Sequence, residues 1–243
     1  MPSALSVALP RRSFAQDAWA LPLSCLLLVG AVLTALCVGR FPVSPLSALE
    51  ILGAAAQDPF AMPATMEERI VLLVRLPRVL LAALAGAGLA VAGAALQGVF
   101  RNPLVAPQVL GISPGAAFGG ALAITLGVSG AALVGMAFAM GLLALLVVGM
   151  LARIGGRTEI VTVILAGLVI GALFGALVSL LQFVADPNGS LPAIVYWLMG
   201  SFSTATWARF WLAAPGMAVG LVLLLLLRAR LNILSLDEAE ARL

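Results

Sequence analysis

The feature that most constrains this chain is a series of long stretches that carry no charge in their interiors. Six apolar runs, at 19–39, 77–100, 107–128, 130–151, 160–185 and 207–227, succeed one another, and only the last holds a charge, Arg209, near its start. At about 1.5 Å of rise per residue, about 20 helical residues cover the roughly 30 Å hydrocarbon core of a bilayer. A charged side chain at the bilayer centre costs at least about 2.5–3.5 kcal/mol, which is why such interiors stay clean. Composition agrees. Hydrophobic residues make up 63% of the chain and charged residues 9%, where a soluble domain carries about a quarter charged residues. The chain therefore reads as all-α, a polytopic transmembrane helical bundle of about six spans.

The breaks between runs hold turn formers or charge: Arg101-Asn102-Pro103, Gly127-Val128-Ser129-Gly130, 153–159, and Asp186-Pro187-Asn188-Gly189. The longest connection, 40–74, is more polar and contains Glu50, Asp58, Glu67, Glu68 and Arg69. There the pattern Ser47-Ala48-Leu49-Glu50 fits a capping box and predicts a short interfacial helix. Arg11-Arg12-Ser13-Phe14 looks somewhat like a twin-arginine export signal. The apolar run that follows is long for a signal core and shows no small-x-small cleavage site, which favours a retained first span. Residues 1–18 then form a cytoplasmic N-terminus and 19–230 the membrane domain. With the N-terminus inside, eight arginines (11, 12, 101, 153, 157, 228, 230 and 242) fall on the cytoplasmic side and five (40, 69, 75, 78 and 209) outside. The expected location is the cytoplasmic (inner) membrane.

What is missing narrows the function. The chain has no His, and all 13 of its basic residues are Arg. Without Lys there is no phosphate-binding loop of the G-x-x-x-x-G-K-[ST] kind, so transport driven by ATP would need another subunit to hydrolyse it. Without His there is no Ser–His or Cys–His pair and no imidazole metal site. No cofactor, no metal and no nucleic-acid partner is expected. Cys25 and Cys37 share one run, roughly 18 Å apart along a helix, too far for a disulfide. Gly167, Gly171 and Gly175 recur every four residues, and so do Gly115 and Gly119, marking stripes of close helix approach. Two readings stand for them: packing within the chain, or a dimer interface or pathway lining.

From Arg75 onward an ordered set of strings emerges. Arg75-Leu76-Pro77-Arg78 opens the second span, followed by Gly86, Gly88, Gly93, Gln97, Arg101-Asn102-Pro103-Leu104, Pro107, Leu110-Gly111-Ile112-Ser113 and Gly115-Ala116. Further on come Ile164-Leu165-Ala166-Gly167, Asp186-Pro187, Tyr196-Trp197-Leu198-Met199-Gly200-Ser201 and Leu231-Asn232-Ile233-Leu234-Ser235-Leu236. In this order they resemble the FecCD-type permeases of ABC importers, which carry iron–siderophore complexes, haem or cobalamin. The resemblance implies a homodimer or pseudo-dimer in membrane lipid, two cytoplasmic ATP-binding subunits and an external substrate-binding protein.

Residue roles follow from the resemblance alone. Arg75 and Arg78 look like the arginines that meet acids on the binding protein, with anchoring of a helix end as the plainer reading; an exposed guanidinium does pair carboxylates bidentately. Asn102, Pro103 and Leu104 look like a cytoplasmic gate loop, though Asn-Pro is also a plain turn signal. A second gate loop at 158–162 would place Ile160 and Val161 at its narrow point, where the family often has small hydroxyl residues. Residues 231–243, with Leu234, Ser235, Leu236, Glu238 and Glu240, resemble the start of the segment that couples to the ATPase. Asp237 stands there where the family more often has Gly. Family members have about ten spans, and this chain stops after about six, within the coupling region, as a fragment, a truncated frame or half of a split permease would. The readings outside transport are a membrane-embedded enzyme, for which the spans offer only Ser179, Gln182 and Thr162, and a non-catalytic truncated or split scaffold subunit.

Overall fold

The computed structural model describes residues 19–59, 61–103, 105–153 and 160–235, the side chains of 160 and 232–235 excepted. Among them the only regular structure is helical. The chain divides into two compact units, Met1–Val79 and Leu80–Leu243.

The first unit holds α1 (Ala20–Cys37), α2 (Pro45–Gln57), α3 (Met66–Arg69), a π-helical segment (Ile70–Arg75) and the opening turn of α4 (Leu76–Phe100). The interfacial helix expected near Ser47 is present, but it starts three residues earlier. Ser44 is its N-cap, its hydroxyl accepting from the Ser47 N–H at 3.0 Å, and Pro45 occupies the first turn, where its missing N–H costs nothing. The capping box lies instead at Thr65 and Glu68: the Thr65 hydroxyl accepts from the Glu68 N–H, and the Glu68 carboxylate accepts from the N–H groups of Thr65 and Ala64. A small core of Leu36, Val43, Ala48 and Val71, flanked by Val32, Ile51 and Leu52, holds the unit together.

The second unit contains the rest of α4, then α5 (Ile112–Thr125), α6 (Gly130–Arg153), α7 (Ile160–Val184), α8 (Ser190–Met199), α9 (Trp207–Leu226) and α10 (Arg228–Ser235). Here α5 is the central element, packed against α6, α7 and α8. The main core joins Leu110, Ala144, Val148, Ala152, Val163, Ala166, Ile170 and Phe174; a second cluster joins Ala121, Ala185 and Ile194. The turn expected at Asp186–Gly189 is formed, with the N–H groups of Gly189 and Leu191 donating to the Asp186 carbonyl.

Five helical segments are long and apolar enough to cross a membrane: Ala20–Cys37, Met66–Phe100, Gly130–Arg153, Val161–Val184 and Trp207–Leu226. The run expected as a third span, 107–128, is different. It begins with a 3-10 turn, Pro107–Leu110, passes Gly111 at φ 74°, and leaves α5 only 14 residues, about 21 Å. Gly111 must be glycine because that left-handed conformation joins the turn to the helix at a wide angle. A helix this short is workable where it is clad by its neighbours rather than by lipid. The long helices turn large apolar side chains outward; Leu26, Leu27, Phe138, Leu146, Leu168, Trp211 and Leu226 are all more than half exposed. In water such a surface would aggregate, and in lipid it is the ordinary outer face.

Candidate functional site

Arg75 closes the π-helical segment and is buried, 7% exposed. Its guanidinium donates to the carbonyls of Leu36, Cys37 (2.9 Å) and Phe41, at the end of α1 and just beyond it. The last carbonyls of a helix have no partner within it, and a cation is favoured there by the helix dipole. Gly39 makes room, since a Cβ there would lie 2.7 Å from the Arg75 Nη2. The resemblance implies an exposed fork at Arg75, whereas its donors serve the chain's own backbone. Arg78, one turn further and just after the fully buried Pro77, is half-buried.

In the second unit the glycines set the geometry. A Cβ on Gly115 would sit 2.7 Å from both the Met140 carbonyl and the Ala144 Cβ; one on Gly119 would sit 2.6 Å from the Met136 carbonyl. Gly141 of α6 faces back, its notional Cβ 3.3 Å from the Ile112 carbonyl. The α5–α6 seam is thus backbone against backbone, where dispersion does the work that the hydrophobic effect cannot do in lipid. The α7 stripe splits along its length. A Cβ on Gly167 would overlap the Val109 carbonyl of the 3-10 turn, one on Gly171 would touch Pro114 at 3.4 Å, and Gly175 faces open space.

Trp197 of α8 was not singled out by sequence beyond its place in a motif, yet it organises this end of α5. Its indole Nε1–H donates to the Ala117 carbonyl at 3.2 Å, and its ring occupies the space that a side chain at Gly120 would need. A lone tryptophan in a helix facing small residues is the signal that points to such a fit. Nearby, the Tyr196 and Ser203 hydroxyls bond each other, the Ser201 hydroxyl donates to Ser203 at 2.9 Å, and the Arg209 guanidinium turns back to the Thr204 carbonyl at 2.9 Å. Arg209 thereby leaves the span interior, in line with the cost of charge there.

The loop after α4 is a compact turn. Arg101 takes a left-handed φ of 49°, the Asn102 N–H donates to the Gln97 carbonyl, and the Val105 N–H donates to the Asn102 carbonyl, with Val105 buried. Asn102 is half-buried and Pro103 exposed; Leu104 lies outside the described residues. Ile160 and Val161 are not in a loop but form the first turn of α7, with Val161 exposed; residues 154–159 lie outside the described set. Leu234 and Ser235 close α10, so the domain boundary expected at 230/231 falls inside a helix. Leu236, Glu238 and Glu240, like 1–18, lie outside the described residues.

An arginine-clasped helix end, a short glycine-seamed central helix and an Asn-Pro turn thus occur in the order in which the motifs run. Residues 26–243 match the FecCD transport family. The chain belongs to that family. It is 41% identical over 220 residues to the molybdate import system permease protein MolB of Haemophilus influenzae, a match covering 90% of this chain and 64% of MolB. It is 38% identical over 200 residues to the cobalamin import system permease protein BtuC of Halobacterium salinarum, covering 81% of this chain and 53% of that protein. The fold superposes with a TM-score of 0.75, at 38% identity, on a solved transporter assigned to the metal-chelate type of ABC transporter in an inward-facing conformation, covering 92% of this chain and 67% of the other. The chain thus spans about half to two thirds of the length of these FecCD relatives. Its apolar helices and these permease relatives make it a multi-pass membrane protein.

Proposed function

We propose that this chain supplies membrane-spanning permease elements of an ABC importer, which moves a metal-containing solute by alternating access without covalent chemistry. The observation that carries this reading is the FecCD match over 26–243, together with the fold shared with a transporter of the metal-chelate type. The absence of Lys, and with it of a P-loop lysine, agrees with power supplied by separate ATP-binding subunits on the cytoplasmic side. The cargo is an iron–siderophore complex or a related chelate such as haem or cobalamin. A second cargo, molybdate, is favoured by the 41% identity to MolB. The cytoplasmic membrane, an N-terminus inside, and assembly as a dimer or pseudo-dimer with an external binding protein belong to the same proposal.

Within it, Arg78 is the docking cation and Arg75 the clasp that holds the helix presenting it. Asn102, Pro103 and Leu104, with Ile160 and Val161, line the inner mouth. Gly167, Gly171 and Gly175 lie along the pathway side of α7, and Leu234 to Glu240 couple to the ATPase. The test is ATP-dependent uptake of radiolabelled cobalamin, ferric siderophore or molybdate into vesicles that contain this chain, an ATP-binding subunit and a binding protein. Uptake that stops when the ATPase is inactivated supports the reading. Uptake that persists, or failure of the chain to bind either partner, overturns it.

A further inference from the structure

A groove in the second unit has no place in the transport reading. It runs between the C-terminal third of α4 and the junction of α9 with α10, and is lined by Val91, Ala94, Ala95, Gly98, Leu224, Leu225, Arg228 and Leu231, enclosing about 240 Å³. Seven of these eight lining residues are apolar or glycine, and the eighth is an arginine. The break between helices explains its position. The helix pauses at Leu227, whose N–H donates to the Leu223 carbonyl, and α10 restarts at Arg228. The first guanidinium after 18 uncharged residues, 210–227, therefore stands at the rim, at the depth where a spanning helix leaves hydrocarbon.

The charges of this unit are unevenly placed. Phe100 and Leu96 of α4 pack against the cluster that includes Ala152 and Val163, so the ends of α4 and α6 and the start of α7 lie together. Arg101, Arg153, Arg228 and Arg230 follow or close the helices at that end, whereas Asp186, the one described acid of the unit, follows α7 at its far end, about 37 Å along the helix. Among the described residues, the groove end is cationic.

We infer that this groove is a binding site for one anionic phospholipid, with an acyl chain lying along Val91, Ala95 and Leu224 and the phosphate on Arg228. Guanidinium and phosphate match as donor fork and acceptor, and basic pockets between spanning helices characteristically take anionic headgroups. The volume agrees. It is below the roughly 300–1,000 Å³ that encloses a whole small ligand, and so suits a ligand whose remainder stays in the bilayer. A metal chelate would not fit, and a free phosphate would leave the apolar wall uncovered. The inference does not depend on the transport reading.

The test uses the whole chain, reconstituted in vesicles of equal parts phosphatidylglycerol and phosphatidylcholine, extracted in mild detergent, and assayed for retained lipid by mass spectrometry. The parent protein should keep about one phosphatidylglycerol and little phosphatidylcholine. Arg228→Gln should reduce the retained phosphatidylglycerol by about tenfold, as expected for loss of one charge-assisted pair. Gly98→Leu, which has space for its side chain in the groove, should reduce it as well. Arg153→Gln, outside the lining, should leave it unchanged. Equal retention by the parent and Arg228→Gln, equal retention of the two lipids, no retained lipid in the parent, or displacement by soluble glycerol phosphate would each overturn the inference. A variant that loses lipid is scored only if it elutes as a monodisperse species, and Gly98→Leu provides a second route should Arg228→Gln fail that criterion.

Discussion

The two compact units hold their helices by opposite means. In Met1–Val79 a long charged side chain, Arg75, is buried to serve three backbone carbonyls. In Leu80–Leu243 the decisive contacts come from side chains that are absent: Gly115, Gly119, Gly120 and Gly167 let backbone meet backbone or ring. The difference teaches which failures to expect. A polar clasp fails when its donors are lost, because the carbonyls stay buried without partners. A glycine seam fails when anything at all is added, because the atoms it would strike are backbone and cannot rotate away.

The largest effect should come from Gly167→Val. The new Cβ would overlap the Val109 carbonyl, which belongs to the 3-10 turn that sets α5 in place. Overpacking of this kind costs about 1–3 kcal/mol and occasionally more, and here a loss of about 3 kcal/mol is expected. Unfolding midpoints in mixed micelles measure it; a variant within about 0.5 kcal/mol of the parent would show that the seam is not tight. Next comes Arg75→Met, which keeps much of the apolar stem and removes every donor. Leaving buried carbonyls unserved costs about 1–3 kcal/mol, so a loss near 2 kcal/mol is expected, with Arg75→Lys recovering part of it through a single ammonium. Amide hydrogen exchange should rise at residues 36–43 in Arg75→Met and rise less in Arg75→Lys. Unchanged exchange in both would mean that the clasp does not hold the end of α1.

The sequence told much about where helices lie and little about what their ends do. Runs near 20–25 residues without charge became α1, α4, α6, α7 and α9, because in lipid an unbroken helix is the one way a lone segment can satisfy its backbone. The 107–128 run misled, since Pro107 and Gly111 look harmless inside an apolar string; their turn is dictated by packing against α7, which hydropathy does not register. Arg75 misled in another way. Arginine at a span entrance reads as exposed, and the carbonyls it serves are more than 30 residues away in sequence. The α7 glycine stripe was visible as a period of four, but period alone cannot assign Gly167 to a tight contact and Gly175 to open space.

A smaller effect tests whether the Trp197 fit resembles the seams or the clasp, since it combines a hydrogen bond with a missing side chain. Gly120→Ala should cost about 1–2 kcal/mol by displacing the indole, and Trp197→Leu a similar amount through lost packing and the lost bond to the Ala117 carbonyl. Because the ring that the added methyl strikes is gone in the double variant, the two losses should fall short of additive by about 1 kcal/mol. Strict additivity in unfolding measurements would separate the two residues and leave α8 held by Ile194 and its neighbours alone.

The smallest effect, Gly175→Ala, is the sharpest for function. No atom lies within 4 Å of the methyl that would be added, so the fold of this chain opposes nothing. Alanine is also the better helix former, by up to about 1 kcal/mol in water, so unfolding should be unchanged or slightly delayed. The same position continues the line of Gly167 and Gly171 on α7, and in the proposed importer that line borders the pathway. The expected outcome is therefore a split: unaltered unfolding in micelles together with altered uptake in vesicles that hold the assembled transporter. Unaltered uptake would make Gly175 a plain lipid-facing residue and confine the glycine stripe to the packing of α7 against the 3-10 turn and α5.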